Sequence, residues 1–179
     1  MNVRLISGRF GGRIIDAPNN KRTHPMSERI RNAMFNKLID ELEGAEVLDA
    51  FAGSGAVGLE AVSRRAKSVI MLERDRLACK IIKKNIETIG ADGADVVCAS
   101  VLAWLNNNPE QMFDIIFADP PYHDTQFSTV KKLMEHLKPG GTMILSHPGR
   151  GELPTKTGVV VVDNRSYGNA VLTYYRREE

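Results

Sequence analysis

Cysteine is scarce in this chain of 179 residues, which contains only two. Cys79 and Cys98 stand apart in apolar surroundings, with no histidine or further cysteine at metal-ligand spacing. A disulfide framework and a zinc cluster are therefore excluded, because the first needs several cysteine pairs and the second needs clustered ligands. We expect two buried thiols and no bound metal.

The sequence also lacks any apolar run of eighteen or more residues, and its N-terminal segment is glycine-rich, without a signal-peptide core. These absences exclude a membrane-spanning helix and a secretory leader, so we expect a cytoplasmic protein with no membrane partner. The length and the hydrophobic content of 42% predict one domain over residues 1–179, with a single buried core.

The small net charge of +2 is unevenly distributed. Residues 1–37 contain eight basic and two acidic side chains, which gives this segment a net charge of +6 and the remainder −4. The basic residues are Arg4, Arg9, Arg13, Lys21, Arg22, Arg29, Arg31 and Lys37. Clustered arginine and lysine bind nucleic-acid phosphates, although a solvated charged surface would have the same composition.

After residue 45, short apolar runs alternate with amphipathic stretches, a pattern typical of βαβ units. We expect strands at 46–51, 68–73, 94–98, 113–118, 142–146, 159–162 and 170–176, and helices near 56–65, 75–90, 101–107 and 126–137. A breaker cluster at 138–141 should end the last helix, and a turn-rich segment at 163–169 should join the last two strands. The prediction is an α/β fold, a Rossmann-like seven-stranded mixed sheet with helices on both faces and a terminal antiparallel hairpin.

The first 45 residues have a different pattern. Residues 3–6 and 13–16 flank Gly8-Arg9-Phe10-Gly11-Gly12 and predict a basic β-hairpin. Residues 26–42 predict one amphipathic helix. We therefore expect a short basic N-terminal hairpin and helix over residues 1–45, followed by the α/β core over residues 46–179.

A glycine-containing loop, Asp49-Ala50-Phe51-Ala52-Gly53-Ser54-Gly55-Ala56-Val57-Gly58, joins the first core strand to its helix. Its glycines allow a ligand to approach the backbone, and the helix N-terminus offers unpaired N–H groups. With Glu73 at the end of the next strand, where an acid can bind ribose hydroxyls, the pattern fits a dinucleotide site as well as a methyltransferase site. A buried Asp49 needs a partner such as a ligand ammonium group, which favours an amino-acid-bearing cofactor.

The tetrapeptide Asp119-Pro120-Pro121-Tyr122 ends the strongly apolar strand at 113–118. An exocyclic amine of a nucleobase is a poor nucleophile, because its lone pair is delocalised into the ring. The Asp119 carboxylate and the Pro120 carbonyl can hold such an amine, the prolines stiffen the backbone, and Tyr122 offers a face on which a base can stack. An ordinary strand-to-turn exit would also accept this sequence.

The loop, Glu73 and the tetrapeptide together resemble the class I S-adenosylmethionine methyltransferases that act on nucleobase amines. The more specific resemblance is to the RsmD family, which methylates the N2 amine of a guanine in bacterial 16S ribosomal RNA. It extends over nearly the whole chain and includes Ser7-Gly8-x-x-Gly11-Gly12, residues 29–36 and Arg165-x-Tyr167-Gly168. The family usually has Arg-Pro-Thr where this chain has His24-Pro25-Met26, and a glutamate at Asn32.

The resemblance implies a role for each matching residue. The cofactor is S-adenosylmethionine, held by Asp49, Phe51, Gly53, Gly55, Glu73, Arg74, Ser100 and Val101, with the adenine near the last two. The target amine lies at Asp119, Pro120, Pro121 and Tyr122. Residues 1–45 would then face RNA, and residues 46–179 would form the cofactor-binding catalytic core. The residues expected to bind RNA are Arg4, Arg9, Arg13, Arg22, His24 and Arg29. The partner is ribosomal RNA, either alone or in the small subunit, and a monomer is expected.

Other activities remain open at this point. DNA or RNA adenine-N6 methylation and cytosine-N4 methylation use related tetrapeptides. Methylation of a pyrimidine carbon would need a thiolate nucleophile, and neither cysteine lies at the end of the strand that carries Asp119. A nicotinamide-dependent oxidoreductase fits the glycine loop alone, and a non-catalytic RNA-binding protein of this fold is a further alternative.

Overall fold

The computed structural model describes residues 1–19 and 26–179. The strands are β1 (Asn2–Arg4), β2 (Ile14–Asp16), β3 (Glu46–Asp49), β4 (Ser68–Glu73), β5 (Ala94–Cys98), β6 (Phe113–Ala118), β7 (Leu137–His147), β8 (Val159–Tyr167) and β9 (Ala170–Arg177). The helices are α1 (Glu28–Lys37), α2 (Ile39–Leu42), α3 (Ala56–Ser63), α4 (Arg76–Ile89), α5 (Val101–Asn107) and α6 (Phe127–Leu133), and a 3₁₀ turn spans Met134–His136. Across these described residues, no helix is long and apolar enough to cross a membrane.

Seven strands form one mixed sheet in the order β5-β4-β3-β6-β7-β9-β8. The pairs from β5 to β7 are parallel, and β9 runs antiparallel to both β7 and β8. The chain builds outwards from β3 to β5 and then returns to the other side of β3 with β6. Such a switch point leaves a crevice at the carboxyl ends of the central strands, where open α/β sheets bind ligands.

Helices cover both faces of the sheet because the central strands are apolar on both sides. Val47 and Leu48 are neighbours in β3, yet they belong to two different hydrophobic clusters, as do Ile115 and Ile116 in β6. Successive strand residues point to opposite faces, so each strand contributes to two cores. One cluster includes side chains from α1, α3 and α4, and the other includes side chains from α5 and α6. The predicted Rossmann-like mixed sheet with a terminal antiparallel hairpin is confirmed.

A buried glutamate fastens the N-terminal hairpin to the core. Glu60 of α3 is fully buried and accepts hydrogen bonds from the backbone amides of Ile6 and Ser7, at 2.8 and 3.1 Å. It also pairs with Arg64 one turn later, at 2.8 Å. Gly8 follows with φ +84°, and a Cβ there would overlap the carbonyl oxygen of Ser63. The hairpin therefore lies directly against the C-terminal turn of α3.

Three of the predicted elements differ most from those in the structure. The expected helix 26–42 is interrupted at Leu38, whose φ of −95° and ψ of 8° separate α1 from α2. The strand expected from residue 142 already begins at Leu137, because the Pro-Gly-Gly cluster is accommodated within β7 by an irregular register against β6. The expected turn at 163–169 is mostly strand, since pairing with β9 continues to Tyr167.

The expectation of two buried thiols holds for Cys79 and is wrong for Cys98. Cys79 is buried, whereas Cys98 is exposed at the end of the outermost parallel strand, β5. Burial, reinforced by the neighbouring Cys98, raises the pKa of Cys79 to about 12. Cys79 therefore remains a thiol at neutral pH.

Glu60→Gln should destabilise the fold. The glutamine side chain is uncharged and has only one acceptor oxygen, so it cannot form the ion pair with Arg64 and also accept hydrogen bonds from both backbone amides of the hairpin. Breaking a buried ion pair leaves an uncompensated charge, so we expect the free energy of unfolding to fall by about 3 kcal/mol. Urea denaturation followed by circular dichroism measures it. Glu87→Gln, at an exposed site of α4, is the matched control and should change little. A loss as small as that of the control would contradict the anchoring role of Glu60.

Candidate active site

A cavity of about 610 Å³ opens at the carboxyl ends of β3 and β6. Three segments provide most of its walls: the glycine loop at 49–57, the segment 117–123, and residues of α1 with its preceding turn at 26–34. Ala17, Pro18, Ile144, Ser146 and Ala170 complete the lining. The cavity is thus situated at the switch point of the sheet, and its volume is in the usual range for sites of small organic ligands.

Asp49 provides a buried carboxylate inside this cavity, and no basic side chain among residues 1–19 and 26–179 forms an ion pair with it. It is 2% exposed, and its Oδ2 accepts one hydrogen bond, from the Gly58 amide at 3.0 Å. Burial raises the pKa of Asp49 to about 7; the Gly58 amide opposes this shift, and the negative charges of Asp119 and Glu73 add to it. A cationic group of a ligand would remove the cause of the shift, which agrees with the sequence argument that Asp49 needs such a partner.

The glycine loop turns tightly beside Asp49. Gly53 and Gly55 have φ values of 57° and 82°, and Gly55 begins α3 in the left-handed conformation. Glu73, at the end of β4, accepts hydrogen bonds from the amides of Gly53 at 3.0 Å and Asp75 at 2.8 Å. Only glycine fits at position 58, because a Cβ there would lie 2.5 Å from Cγ of Met71. The loop and the acid predicted to bind ribose are therefore in direct contact.

The tetrapeptide lines the cavity at the end of β6, the strand that pairs with β3. Burial raises the pKa of Asp119 to about 6, and the Ser146 hydroxyl opposes this shift. Tyr122 is 40% exposed, and its hydroxyl lies 2.7 Å from Oγ of Ser146. Because Ser146 holds the hydroxyl end, the ring of Tyr122 is fixed at the cavity wall. Asp119 is ionised at neutral pH and can accept hydrogen bonds from a ligand amine.

The cavity brings together only some of the cofactor-binding and catalytic residues that were predicted from the sequence. Its lining includes Asp49, Phe51, Gly53, Asp119, Pro120, Pro121 and Tyr122. Five further residues expected at the cofactor lie outside the lining: Gly55, Glu73, Arg74, Ser100 and Val101. Of these, Ser100 caps α5 by accepting the Ala103 amide at 3.3 Å. The cavity therefore corresponds to the part of the expected site nearest to Asp49 and Asp119.

The basic residues expected at RNA are arranged around the N-terminal hairpin and α1. Arg4 pairs with Glu28, Arg9 lies 5.1 Å from the ring centre of Phe10, and Arg13 reaches the carbonyl oxygen of Thr88 at 3.5 Å. Arg29 lies 6.0 Å from the ring centre of Tyr167. All four arginines are exposed. Arg22 and His24 lie outside the described residues.

Sequence reasoning missed the contribution of α1 and β7 to the cavity. Met26, Ser27, Ile30, Arg31 and Met34 line it from the α1 side, and Ser146 lines it from β7. A signal for Arg31 was present, because this arginine shares the helical spacing of Met34 and Phe35 on the apolar face of α1. A lone charge on an apolar face indicates a buried role, whereas the sequence analysis counted Arg31 only toward net charge.

Metal chemistry receives no support from the side-chain arrangement. Within residues 1–19 and 26–179, no group of three or more histidine, cysteine, aspartate or glutamate side chains could hold a metal ion.

Asp49→Asn should stabilise the ligand-free protein at alkaline pH. The unfolded chain releases the Asp49 proton near pH 4 and the folded protein near pH 7, so the wild type loses stability as the pH rises through this window. Asparagine cannot ionise, so its advantage in unfolding free energy should be about 3 kcal/mol larger at pH 8 than at pH 4.5. Urea denaturation at both pH values measures it, with exposed Asp92→Asn as the control. An advantage that does not grow with pH would contradict the raised pKa.

Comparison with known proteins gives a consistent result. The family model described as Conserved hypothetical protein 95 matches residues 3–176. Ribosomal RNA small subunit methyltransferase D from Haemophilus influenzae is 39% identical over 68% of this chain, and the match spans 64% of that relative's length. The relative of the same name from Escherichia coli strain K12 is 35% identical over 74% of this chain and 67% of its own length.

A solved structure from Escherichia coli shares the fold, with a TM-score of 0.89 and 29% identity over 100% of this chain and 99% of that one. The family model thus matches almost the whole chain, and the similarity extends from the N-terminal hairpin to β9. The chain belongs to the Conserved hypothetical protein 95 family, that is, to the RsmD family of ribosomal RNA methyltransferases which its motifs resemble.

Proposed function

We propose that this protein transfers a methyl group from S-adenosylmethionine to the exocyclic N2 amine of a guanine in small-subunit ribosomal RNA. The observation that carries the proposal is that one cavity holds two functional carboxylates. Asp49 provides a partner for a cationic cofactor group, and Asp119 provides an acceptor for a substrate amine. They are close enough for the charge of Asp119 to raise the pKa of Asp49.

The residues around Asp49 suit the cofactor. The Asp49 carboxylate would receive the α-ammonium group of its methionyl part, and Gly53 allows close approach of the backbone. Glu73 would bind the ribose hydroxyls, with Arg74 beside it and with Ser100 and Val101 on the adenine side. When bound, S-adenosylmethionine supplies an electrophilic methyl group on a positively charged sulfur.

The tetrapeptide suits the substrate amine. The Asp119 carboxylate and the Pro120 carbonyl would accept the two N–H groups of the amine, which favours a lone pair localised on nitrogen. Methyl transfer would form the C–N bond as the methyl C–S bond breaks, with S-adenosylhomocysteine as the leaving group. The methylated amine would then give up one proton, for which ionised Asp119 would be the acceptor. Pro121 restricts the backbone, and Tyr122, fixed by Ser146, provides the face on which an extruded base stacks.

The exposed arginines of the hairpin and α1 suit the RNA backbone. Arg9 and Arg13 lie on the segment that Glu60 holds against α3, and Arg29 projects from the helix that lines the cavity. Phosphate contacts of this kind orient a nucleic acid without reading its sequence. Ribosomal RNA is proposed as the partner, alone or in the small subunit, with the cytoplasm as the place of action and a monomer as the active form.

The guanine is the finest detail of the proposal and depends on the family resemblance. Asp119 and Pro120 would hold an adenine N6 amine equally well, because both bases present an N–H₂ group. The two products differ, since one is N2-methylguanosine and the other N6-methyladenosine. Nucleoside analysis of the labelled RNA therefore distinguishes them.

Asp119→Ala should abolish most of the activity without loss of the cofactor site. Purified protein, labelled S-adenosylmethionine and small ribosomal subunits lacking the modification are expected to give labelled N2-methylguanosine. Loss of one preorganised polar contact lowers kcat by about 10²- to 10³-fold. The dissociation constant of S-adenosylhomocysteine, measured by calorimetry, should change by less than about threefold.

Asp124→Ala is the matched control for this experiment, since Asp124 is exposed two residues after the tetrapeptide. The control should keep wild-type kcat. Full activity of Asp119→Ala would show that the acceptor site is misassigned, and absence of methylation on any RNA by the wild type would overturn the proposed function.

Replacing Arg9 and Arg13 with glutamine should weaken RNA binding at every sequence. Each lost phosphate contact should reduce the slope of log K against log salt by about one. The value of kcat at saturating RNA should be retained, because neither residue lines the cavity. Filter binding between low and physiological salt measures the slope. The control, Lys67→Gln with Lys131→Gln, removes the same charge from other exposed sites and should leave the salt slope unchanged. If the control lowers the slope as much as the arginine replacements do, RNA does not bind specifically at the hairpin.

A further inference from the structure

Arg31 is a charged side chain inside the core that the proposed chemistry leaves without a role. It is 0% exposed, lies on α1 beside Met34 and Phe35, and lines the same cavity as Asp49 and Asp119. Arginine is almost never fully buried unless it is paired, because the interior cannot replace its hydration. Its position at the cavity wall therefore requires a physical explanation.

The hydrogen bonds of Arg31 are incomplete. Its Nη2 donates to the backbone oxygen of Arg4 at 2.6 Å. Its Nε and Nη1 are buried and have no hydrogen-bond partner among residues 1–19 and 26–179. Burial lowers the pKa of Arg31, and the charges of Glu60 and Glu28 only partly oppose this. The guanidinium of this cavity-lining residue thus retains donors that are buried and unused in the ligand-free protein.

The two nearest acids are already engaged elsewhere. Glu60 accepts hydrogen bonds from Ile6, Ser7 and Arg64, so its carboxylate oxygens are occupied. Glu28 pairs with Arg4 at the surface. Neither acid forms an ion pair with Arg31 within the described part of the chain. Residues 1–19 and 26–179 therefore provide no free oxyanion for the remaining donors of Arg31.

The cavity contains two uncompensated charges of opposite sign. Asp49 offers a buried carboxylate from the glycine loop, and Arg31 offers a buried guanidinium from α1. An α-amino acid group carries an ammonium and a carboxylate on one carbon and complements both. We propose that Arg31 binds the carboxylate of the methionyl end of S-adenosylmethionine, so that Arg31 and Asp49 together recognise its zwitterion. This inference rests on the proposed function, since it assumes that cofactor.

An RNA phosphate is a less suitable partner for Arg31. The exposed arginines at positions 9, 13 and 29 are placed to meet a backbone outside the protein, whereas Arg31 has no exposed surface. A phosphate diester would have to enter the core with its flanking sugars. A terminal carboxylate on a slender chain can reach that depth, and a guanidinium binds it with charge-assisted hydrogen bonds.

The role is one of positioning. A cofactor held at both the ammonium and the carboxylate would lose rotational freedom about its methionyl chain, and a restricted orientation favours group transfer. Because α1 supplies the carboxylate contact and Glu60 holds the neighbouring hairpin, the N-terminal segment takes part in cofactor binding as well as in RNA binding.

Two ligands test the proposal by calorimetry. S-adenosylhomocysteine carries the carboxylate, and its decarboxylated analogue, 5′-(3-aminopropylthio)-5′-deoxyadenosine, keeps the amine and lacks only that group. The wild type should prefer the first ligand by about 10- to 100-fold, the range of a hydrogen-bonded charged contact. In Arg31→Met, binding of S-adenosylhomocysteine should weaken by the same factor, while binding of the analogue changes by less than about threefold.

Two further variants provide a conservative replacement and a matched control. Arg31→Lys keeps the charge with a single donor group, should show an intermediate preference, and serves as the test if Arg31→Met does not fold. Arg76→Met removes an exposed arginine of α4 outside the cavity lining and should bind both ligands as the wild type does. Thermal melting without ligand should show no loss of stability in Arg31→Met, because it removes an uncompensated buried charge.

The outcomes separate this inference from the proposed function. Equal weakening of both ligands, or unchanged binding of S-adenosylhomocysteine, would overturn the role of Arg31 even if the wild type methylates RNA. Weakened RNA binding with intact cofactor binding would assign Arg31 to a phosphate and overturn it as well. A wild type that binds neither ligand and methylates no RNA would remove the proposed function, and this inference with it.

Discussion

The cavity depends on the buried carboxylate of Glu60. A fully buried glutamate must be surrounded by donors, and here these are two backbone amides of the N-terminal hairpin and the guanidinium of Arg64. The hairpin residue Ile6 is 54 positions away in sequence from Glu60. This interaction holds the hairpin against α3. Arg64, the partner of Glu60, also donates hydrogen bonds to Asn32 and Asn36 of α1, and α1 closes one side of the crevice that the sheet leaves open. The same contact thus shapes the cavity and directs the exposed arginines to its surroundings.

The cavity lining concentrates ionisable groups that form no ion pair within the described part of the chain. Asp49 and Asp119 have raised pKa values because they are buried, and Arg31 has a lowered pKa for the same reason. Groups of this kind cost stability in a free protein and gain partners when a ligand binds, so they mark functional sites more often than structural ones. Their signs are ordered, with two acids on the sheet side and one base on α1. That order matches a zwitterionic cofactor end next to a substrate amine.

The sequence predicted the presence and order of the strands more accurately than the residues at which they begin and end. Both faces of β3 and β6 are buried, and a continuous apolar run shows this directly. The extension of β7 through Pro139, Gly140 and Gly141 was not predicted, because these residues usually break an element and only the irregular pairing with β6 accommodates them. The extension of β8 to Tyr167 was missed for a related reason, since pairing with β9 overrides a local turn preference.

The sequence by itself determined the alternation of strands and helices, the glycine loop with Asp49 and Glu73, the tetrapeptide at the end of β6, and the family. These are local patterns, in which periodicity, spacing and residue chemistry are sufficient. Only the tertiary structure decided that α1 lines the cavity, that Ser146 holds Tyr122, and that Arg31 is buried with unused donors. The reason is physical, because each of these contacts joins segments that are distant in the chain. The partner of a helix face or a strand end is determined by the order of the strands in the sheet, which local sequence patterns do not specify.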